Sequence, residues 1–224
     1  MEKRIVLIDA VRFITEEIDR VFSEVIPDAE LIHIVDEGIL KFDAENKQLK
    51  RRFCSLVVAA EEIGANVIVI TCAHGIPALD IVQRLVDPPV VQITMPMIEI
   101  AVNRGETIGL VATEETIIKP IVGLLQTAGK QVNKRITVKV GLCEDAFQAL
   151  LSGDTVKHDE WVMKTIEDIS KTVDVVVLAQ ISLGRVVPKA KGKIDRPILS
   201  PLIIAAEKIK TVLKRGDKNG EENP

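Results

Sequence analysis

The amino-acid sequence predicts an α/β protein with two pseudo-symmetric lobes, each a parallel sheet of about four strands flanked by helices. Short β-branched runs alternate with longer amphipathic helical patterns along almost the whole chain, and this alternation is typical of parallel sheets covered by helices. The chain also resembles itself in three places, in the same order. Residues 67–72 match 175–180, residues 4–9 match 107–112, and residues 89–91 match 197–199. Three ordered matches favour two related lobes over chance similarity between apolar strands.

Eight strands are predicted from continuous apolar runs, because a strand that is buried on both faces does not alternate in polarity. In chain order they are Ile5–Ile8, Leu31–Val35, Val67–Thr71, Val90–Ile93, Ile108–Ala112, Ile136–Val140, Val175–Ala179 and Ile198–Leu199. The helix after the second strand is typical of the intervening segments. Its apolar residues, Phe53 and Val57 among them, form one stripe, and Gly64 is placed to end it.

The ordered repeats also predict how the chain is divided. We expect it to cross to the second lobe near residue 94 and to return near residue 197. Residues 1–94 and 197–213 then form the first lobe, which includes a last helix at Pro201–Leu213, and residues 95–196 form the second. Residues 214–224 are polar and rich in Gly and Asn, which predicts a flexible tail.

Composition excludes several classes of function. A net charge of −4 gives no general attraction to nucleic acid or anionic membranes, and 3% aromatic residues offer no platform for stacking bases. No apolar run is long enough for a membrane span and the N-terminus lacks a signal-peptide core, so we expect a cytoplasmic protein. Three cysteines without CxxC spacing indicate neither a disulfide framework nor a zinc site. No GxGxxG motif follows the first strand, which disfavours a dinucleotide cofactor.

Cys72 is the candidate functional residue with the strongest local support. The third strand leads directly into Cys72-Ala73-His74-Gly75, and Pro77 suits the first position of the next helix. Ligands of parallel α/β sheets gather at the carboxyl ends of the strands, and a thiol near a helix N-terminus is biased toward thiolate. The alternative is a buried structural cysteine, which is the favoured interpretation for Cys54 and Cys143.

Three segments carry a resemblance to a known family. Val69–Pro77 resembles the first cysteine motif of the aspartate/glutamate/hydantoin racemase superfamily, Ile108–Thr116 resembles its second-lobe threonine loop, and Val175–Gly184 stands where its second cysteine motif belongs. The resemblance implies an Asp/Glu racemase-like fold with a cleft between two lobes. It also implies proton transfer without cofactor or metal, by one cysteine from each lobe, and a homo-oligomer, a dimer or higher.

Gln180 departs from this pattern, because it stands at the second cysteine position. An amide donates and accepts hydrogen bonds but takes up no proton at ordinary pH. Racemisation by paired cysteines is therefore not available, and the resemblance is to an atypical branch of the superfamily. We expect the substrate's proton to exchange faster than its configuration inverts.

The other candidate site residues lie around the predicted strand ends. The candidates for substrate binding are Asp9, Ala73, His74, Thr113, Thr116, Ile181, Ser182 and Arg185. Each polar one has a structural alternative: a turn for Asp9, a helix cap for one threonine and for Ser182, and an exposed histidine at a helix entry for His74. Arg185 begins a basic loop that could clamp an anion. Of the remaining histidines, His33 is predicted in the core and His158 in solvent.

The leading functional hypothesis is a cofactor-independent racemase or isomerase that acts next to the carboxylate of an amino acid or small organic acid. Cys72 would be catalytic, and Gln180 would position the substrate. Two alternatives stay open. One is a decarboxylase, another lyase or a cis–trans isomerase with one-sided cysteine chemistry, and the other is a non-catalytic protein that binds small acids. A binding protein has no need of a reactive thiol, so the reactivity of Cys72 separates it from the enzymes.

Overall fold

The computed structural model describes residues 3–42 and 46–221. Over these residues the chain forms eight strands, at Lys3–Asp9 (β1), Ala29–Val35 (β2), Val67–Ile70 (β3), Val90–Gln92 (β4), Thr107–Ala112 (β5), Thr137–Leu142 (β6), Val175–Leu178 (β7) and Ile198–Leu199 (β8). The α-helices are Thr15–Val25 (α1), Lys47–Glu62 (α2), Leu79–Val82 (α3), Met95–Arg104 (α4), Ile118–Gln131 (α5), Glu144–Leu151 (α6), Thr155–Ser170 (α7), Val187–Ala190 (α8) and Pro201–Glu221 (α9). All eight predicted strands are present.

The strands form two parallel four-stranded sheets with the same topology. Their orders are β2-β1-β3-β4 and β6-β5-β7-β8. The central pairs are in equivalent register, with Ile8 beside Ile70 in the first sheet and Val111 beside Leu178 in the second. The predicted α/β fold class and the internal repeat are therefore confirmed.

Each sheet has its own apolar core, which explains why the central strands are continuous apolar runs. Residues of β3 and β7 are fully buried, whereas the edge strand β6 is largely exposed. In the first sheet α2 packs Phe53 and Val57 onto the core, and the helix stops just before Gly64, whose φ of 85° is readily adopted by glycine. No helix in the described part of the chain has both the length and the apolar character needed to cross a membrane.

The chain divides into two compact units, each built on one sheet. Unit 1 comprises the residues up to Ile93 and those from Leu202 onward, and unit 2 comprises Thr94–Pro201. The predicted return near residue 197 is wrong, because Ile198 and Leu199 of β8 pair with β7 and so belong to unit 2. The chain returns only after Pro201.

The C-terminal helix is longer than predicted. Because α9 extends to Glu221, the predicted end of this helix at Leu213 is wrong. A flexible tail from residue 214 stays a prediction, and residues 222–224 lie outside the described residues. No proline interrupts the sequence between Leu202 and Glu221. Once the packed turns have nucleated a helix, each further residue adds a hydrogen bond at little cost.

Candidate active site

Cys72 and Gln180 occupy the same position in the two units. Each lies just beyond the carboxyl end of the third strand of its unit, and each is followed by a 3₁₀ helix, Ala73–Ala78 or Ile181–Val186. Their backbones are also alike, with φ and ψ of −114° and 145° at Cys72 and −127° and 153° at Gln180. The repeat therefore makes Gln180 the structural counterpart of the thiol.

The thiol of Cys72 lies half-buried against the apolar core of unit 1. Its carbonyl accepts hydrogen bonds from the Gln92 side chain at 3.3 Å and from the Gly75 N–H at 3.2 Å. The prediction that Pro77 begins an α-helix is wrong, because Pro77 lies inside the 3₁₀ helix and α3 starts only at Leu79. The dipole of so short a helix gives the thiolate less support than the sequence suggested.

The other two cysteines, Cys54 and Cys143, lie in surroundings typical of cysteines with a structural role. All three are thiols. Cys54 packs against the apolar core from α2, and the Cys143 Sγ donates to the Ala112 carbonyl at 3.4 Å. Burial raises the pKa of the Cys143 thiol, and a hydrogen bond with Thr165 offsets this only in part. Cys143 is therefore a protonated, weakly nucleophilic thiol at neutral pH.

Asp9 is the centre of a hydrogen-bonded chain at the carboxyl end of the first sheet. Its fully buried carboxylate accepts from the Thr71 hydroxyl at 2.6 Å and contacts His33 Nδ1 at 2.6 Å. The second nitrogen of His33 lies 2.9 Å from Asp19. A direct role of Asp9 in substrate binding stays a prediction, but its hydrogen bond with Thr71 connects it to the residue before Cys72.

The sequence does not identify His33 as a hydrogen-bond partner of Asp9, because a histidine in an apolar strand is usually a core residue. Burial alone would lower the pKa of His33, but the hydrogen bonds and negative charges of Asp9 and Asp19 outweigh it and raise the pKa above the usual 6.5. The parallel pairing of β1 with β2 brings His33 and Asp9 together. No local spacing in the sequence indicates that register.

His74 is buried, with 4% of its surface exposed, so the interpretation as an exposed helix-entry histidine is wrong. The 3₁₀ turn folds the side chain inward, and Ala73 beside it is buried as well. Burial lowers the pKa of His74. The imidazole is therefore neutral at neutral pH and adds no positive charge beside Cys72.

The opposite pKa shifts of His33 and His74 predict two separated titrations. Protonation of His33 favours the folded state, so its contribution to stability is complete below about pH 6.5 and is lost as the pH rises through its folded pKa. NMR titration of the imidazole protons, assigned with His33→Gln and His74→Gln variants, should give His33 the higher value. A His33 pKa below that of His74 would contradict the hydrogen-bonded chain.

The Gln180 amide is held in one orientation in unit 2. Its Oε1 accepts from the Thr113 N–H at 3.0 Å, and its Nε2 donates to Thr113 Oγ1 at 2.7 Å and to Glu114 Oε2 at 3.1 Å. The prediction that Thr113 or Thr116 caps the following helix is wrong. The capping positions are Glu114 and Ile117, without a side-chain cap bond in the described structure, and Thr116 is exposed.

Glu114, which the sequence did not single out, lies beside Gln180. It is half-buried next to Gln180, whereas the neighbouring Glu115 is exposed. Burial raises the pKa of the Glu114 carboxyl, and the hydrogen bond from Gln180 offsets this only in part. Two adjacent glutamates look alike in a sequence. Only the pairing of β5 with β7, which brings Gln180 alongside, distinguishes them.

The other predicted residues of this motif are placed differently. Ile181 is buried and Ser182 is half-buried in the turn after Gln180, while Arg185 is exposed. Arg185 lies 2.8 Å from a carboxylate oxygen of Asp159, whose other oxygen binds Lys189 at 2.6 Å. An anion clamp by Arg185 stays a prediction, and it would compete with Asp159.

The remaining histidine, His158, belongs to the same ion-pair cluster. It is fully buried and its Nδ1 lies 2.8 Å from Asp159, so the prediction of a solvated side chain is wrong. One face of α7 is packed against the core of unit 2, and this face includes His158. Among the described residues, no three His, Cys, Asp or Glu side chains are grouped as metal ligands would be.

Comparison with known proteins is consistent with this arrangement. The family model described as Asp/Glu/Hydantoin racemase matches residues 7–209 of the chain. No curated protein matches the sequence. Among solved structures, a glutamate racemase from Bacillus anthracis is similar with a TM-score of 0.77 and 16% identity, over 96% of this chain and 82% of that one.

Two further structures extend the likeness. An aspartate racemase homologue from Pyrococcus horikoshii has a TM-score of 0.70 and 20% identity, over 96% of this chain and 100% of that one. An allantoin racemase from Klebsiella pneumoniae has a TM-score of 0.72 and 17% identity, over 96% of this chain and 89% of that one. At such identities the structures show a common fold, and they leave the substrate open.

Proposed function

Since the chain belongs to the Asp/Glu/hydantoin racemase family, we propose that it is a cofactor-independent enzyme that moves a proton at the carbon next to a carboxylate. The substrate is an amino acid or a small organic acid, and Cys72 is the group that exchanges the proton. The observation that carries this proposal is the structural equivalence of Cys72 and Gln180 in the two units. These are the positions at which the family resemblance expects its two cysteines.

The proposed reaction begins with Cys72 as a thiolate. The bond between the substrate's α-carbon and its hydrogen breaks, the proton passes to the sulfur, and the electron pair spreads onto the carboxylate as an enolate-like charge. A proton then returns to the same carbon. Removal of the α-proton needs hydrogen-bond donors at the carboxylate, because the α-proton of a carboxylate is only weakly acidic.

Thr113 is suited to supply one of these donors. Its hydroxyl oxygen accepts a hydrogen bond from Gln180, which leaves the hydroxyl hydrogen to donate to a substrate oxygen. The half-buried hydroxyl of Ser182 lies in the turn that follows Gln180 and is a second candidate donor. Gln180 is thus a positioning residue in this scheme.

Gln180 also favours a second candidate function. Of the two equivalent positions, one carries a thiol and the other an amide that takes up no proton. A decarboxylase that protonates a single face of its product needs no second proton-transferring group. The two candidates share Cys72 and differ in the fate of the substrate. Loss of carbon dioxide, with one enantiomer formed in deuterated water, identifies the decarboxylase, whereas deuterium uptake without loss of carbon identifies the racemase-type enzyme.

The proposal predicts that Cys72 is the most reactive of the three thiols and that activity depends on it. Limiting iodoacetamide at neutral pH should label Cys72 first, because thiolate character controls the rate and burial keeps Cys143 protonated. Uptake of deuterium at the α-carbon should fall in parallel with labelling, as read by mass spectrometry and NMR. Labelling of Cys54 or Cys143 ahead of Cys72, with activity lost in step, would refute the assignment.

A further inference from the structure

A hydrogen-bonded chain in unit 1 leads from solvent to a fully buried carboxyl group. Asp19 lies on α1 with its side chain 51% exposed, and its Oδ1 is 2.9 Å from His33 Nε2. His33 Nδ1 is 2.6 Å from Oδ2 of Asp9, which is fully buried where β1 ends. Two hydrogen bonds therefore connect the surface with the carboxyl edge of the first sheet.

The two contacts of the His33 ring fix the number of protons in this hydrogen-bonded chain. Each ring nitrogen faces a carboxylate oxygen, and neither an imidazole lone pair nor a carboxylate can donate a hydrogen bond. Both bonds therefore form only when the three groups hold two protons, either both on the ring or one on the ring and one on an aspartate. Asp9 of β1 and Asp19 of α1 are the charged groups that act on the ring, and the raised pKa of His33 is consistent with this count.

Asp9 keeps its hydrogen bonds whether it is ionised or protonated. When it is ionised, Oδ2 accepts from His33 Nδ1, and when the proton has moved to Oδ2, the acid donates to the same nitrogen. Its Oδ1 accepts from the Thr71 hydroxyl at 2.6 Å in both states. The carboxyl group can therefore change its charge without the cost of a buried polar atom that has lost its partner.

We infer that Asp19, His33 and Asp9 form a relay that carries protons between solvent and the carboxyl edge of unit 1. In the inward direction, a proton from solvent binds Asp19 and passes to Nε2, where an N–H bond forms. The N–H bond at Nδ1 breaks as its proton passes to Asp9, where an O–H bond forms. The outward direction reverses both transfers, so uptake and return of one proton restore the first tautomer of the ring.

The relay ends close to the candidate catalytic residue along the chain. Thr71, which binds Asp9, is the residue before Cys72, and β1 and β3 are neighbours in the sheet. The use of the relay rests on the proposed function, in which a proton taken from the substrate at this edge is exchanged with solvent. The hydrogen-bonded chain gives that proton a path that needs no opening of the fold.

The test is the rate at which the Asp9 carboxyl group takes up a proton after a rapid downward pH jump. Time-resolved infrared spectroscopy follows the C=O stretch of the carboxylic acid, and the band of Asp9 is identified by its loss in Asp9→Asn. Asp19→Asn keeps an acceptor for Nε2 but passes on no proton. Uptake should slow by about 100-fold in this variant, because the proton then reaches Asp9 only when the structure opens locally. Asp28→Asn, at an exposed aspartate of the same unit outside the relay, should match the wild type.

The rate separates a relay from a structural role. If His33 and Asp19 only stabilised Asp9, their replacement would move the pH at which the band appears and leave the rate unchanged. His33→Gln keeps a donor and an acceptor but takes up no proton, and it should slow the uptake as Asp19→Asn does. An unchanged rate in Asp19→Asn, or the absence of an Asp9 band over the whole pH range in which the wild type is folded, would overturn the relay. The measurement involves no substrate, so it decides the relay independently of whether Cys72 exchanges an α-proton.

Discussion

Replacing Cys72 with alanine should lower the rate of α-proton exchange by about a thousandfold or more, because the variant has no group to take the proton on that side. Cys72→Ser should be nearly as inactive, since a hydroxyl is a far weaker acid than a thiol and supplies almost no base at neutral pH. NMR of the α-proton in deuterated water measures the loss with whichever acid the wild type turns over. Neither substitution removes a buried charge, so both variants should remain folded.

The other two cysteines provide matched controls. Cys54→Ala and Cys143→Ala remove the same thiol from half-buried positions of the two units and should keep most of the activity. Cys54 lies on α2, and Cys143 follows β6 with its thiol bonded to the Ala112 carbonyl, so neither occupies the position that Cys72 and Gln180 share. Activity that survives in Cys72→Ala and is lost in Cys143→Ala would transfer the catalytic role to the second unit.

Replacing Asp9 with alanine should lower the free energy of unfolding by about 3 kcal/mol at about pH 6. The carboxylate is fully buried and binds both Thr71 and His33. Its removal leaves a His33 side chain that is only 16% exposed without its inner partner. The cost should be smaller near pH 8.5, because the charge on His33 is lost as the pH rises through its folded pKa. Urea unfolding at the two pH values gives the comparison.

Asp19→Ala is the matched control for this prediction. Asp19 binds the other nitrogen of the same imidazole, but its side chain is 51% exposed. Solvent screens an exposed pair, so the cost should be about 0.5 kcal/mol. Equal costs for the two aspartates would show that the burial of Asp9 does not increase the contribution of its hydrogen bonds to stability. A cost for Asp9→Ala that does not vary with pH would exclude the ion pair with His33.

The eight strands and the place of Cys72 at the end of the third were predicted from sequence, because each depends on local or repeated patterns. A buried parallel strand must be a continuous apolar run, and the end of such a run locates the residues at the sheet's carboxyl edge. The equivalence of Cys72 and Gln180 likewise follows from two similar runs in one chain. Composition and short spacing suffice for these features.

The surroundings of the same residues were decided by tertiary structure. Gln180 meets Glu114 and Asp9 meets His33 only because β5 pairs with β7 and β1 with β2. The chain gives no local sign of which of two adjacent glutamates will be buried. The length of α9 has a local cause instead, because the helix propagates beyond Leu213 although the sequence there is polar. Apolar periodicity is a property of neighbours along the chain, whereas a hydrogen bond between side chains depends on distance in space. The sequence therefore determined at which strand ends the candidate site residues lie, and the pairing of strands decided which side chains meet there.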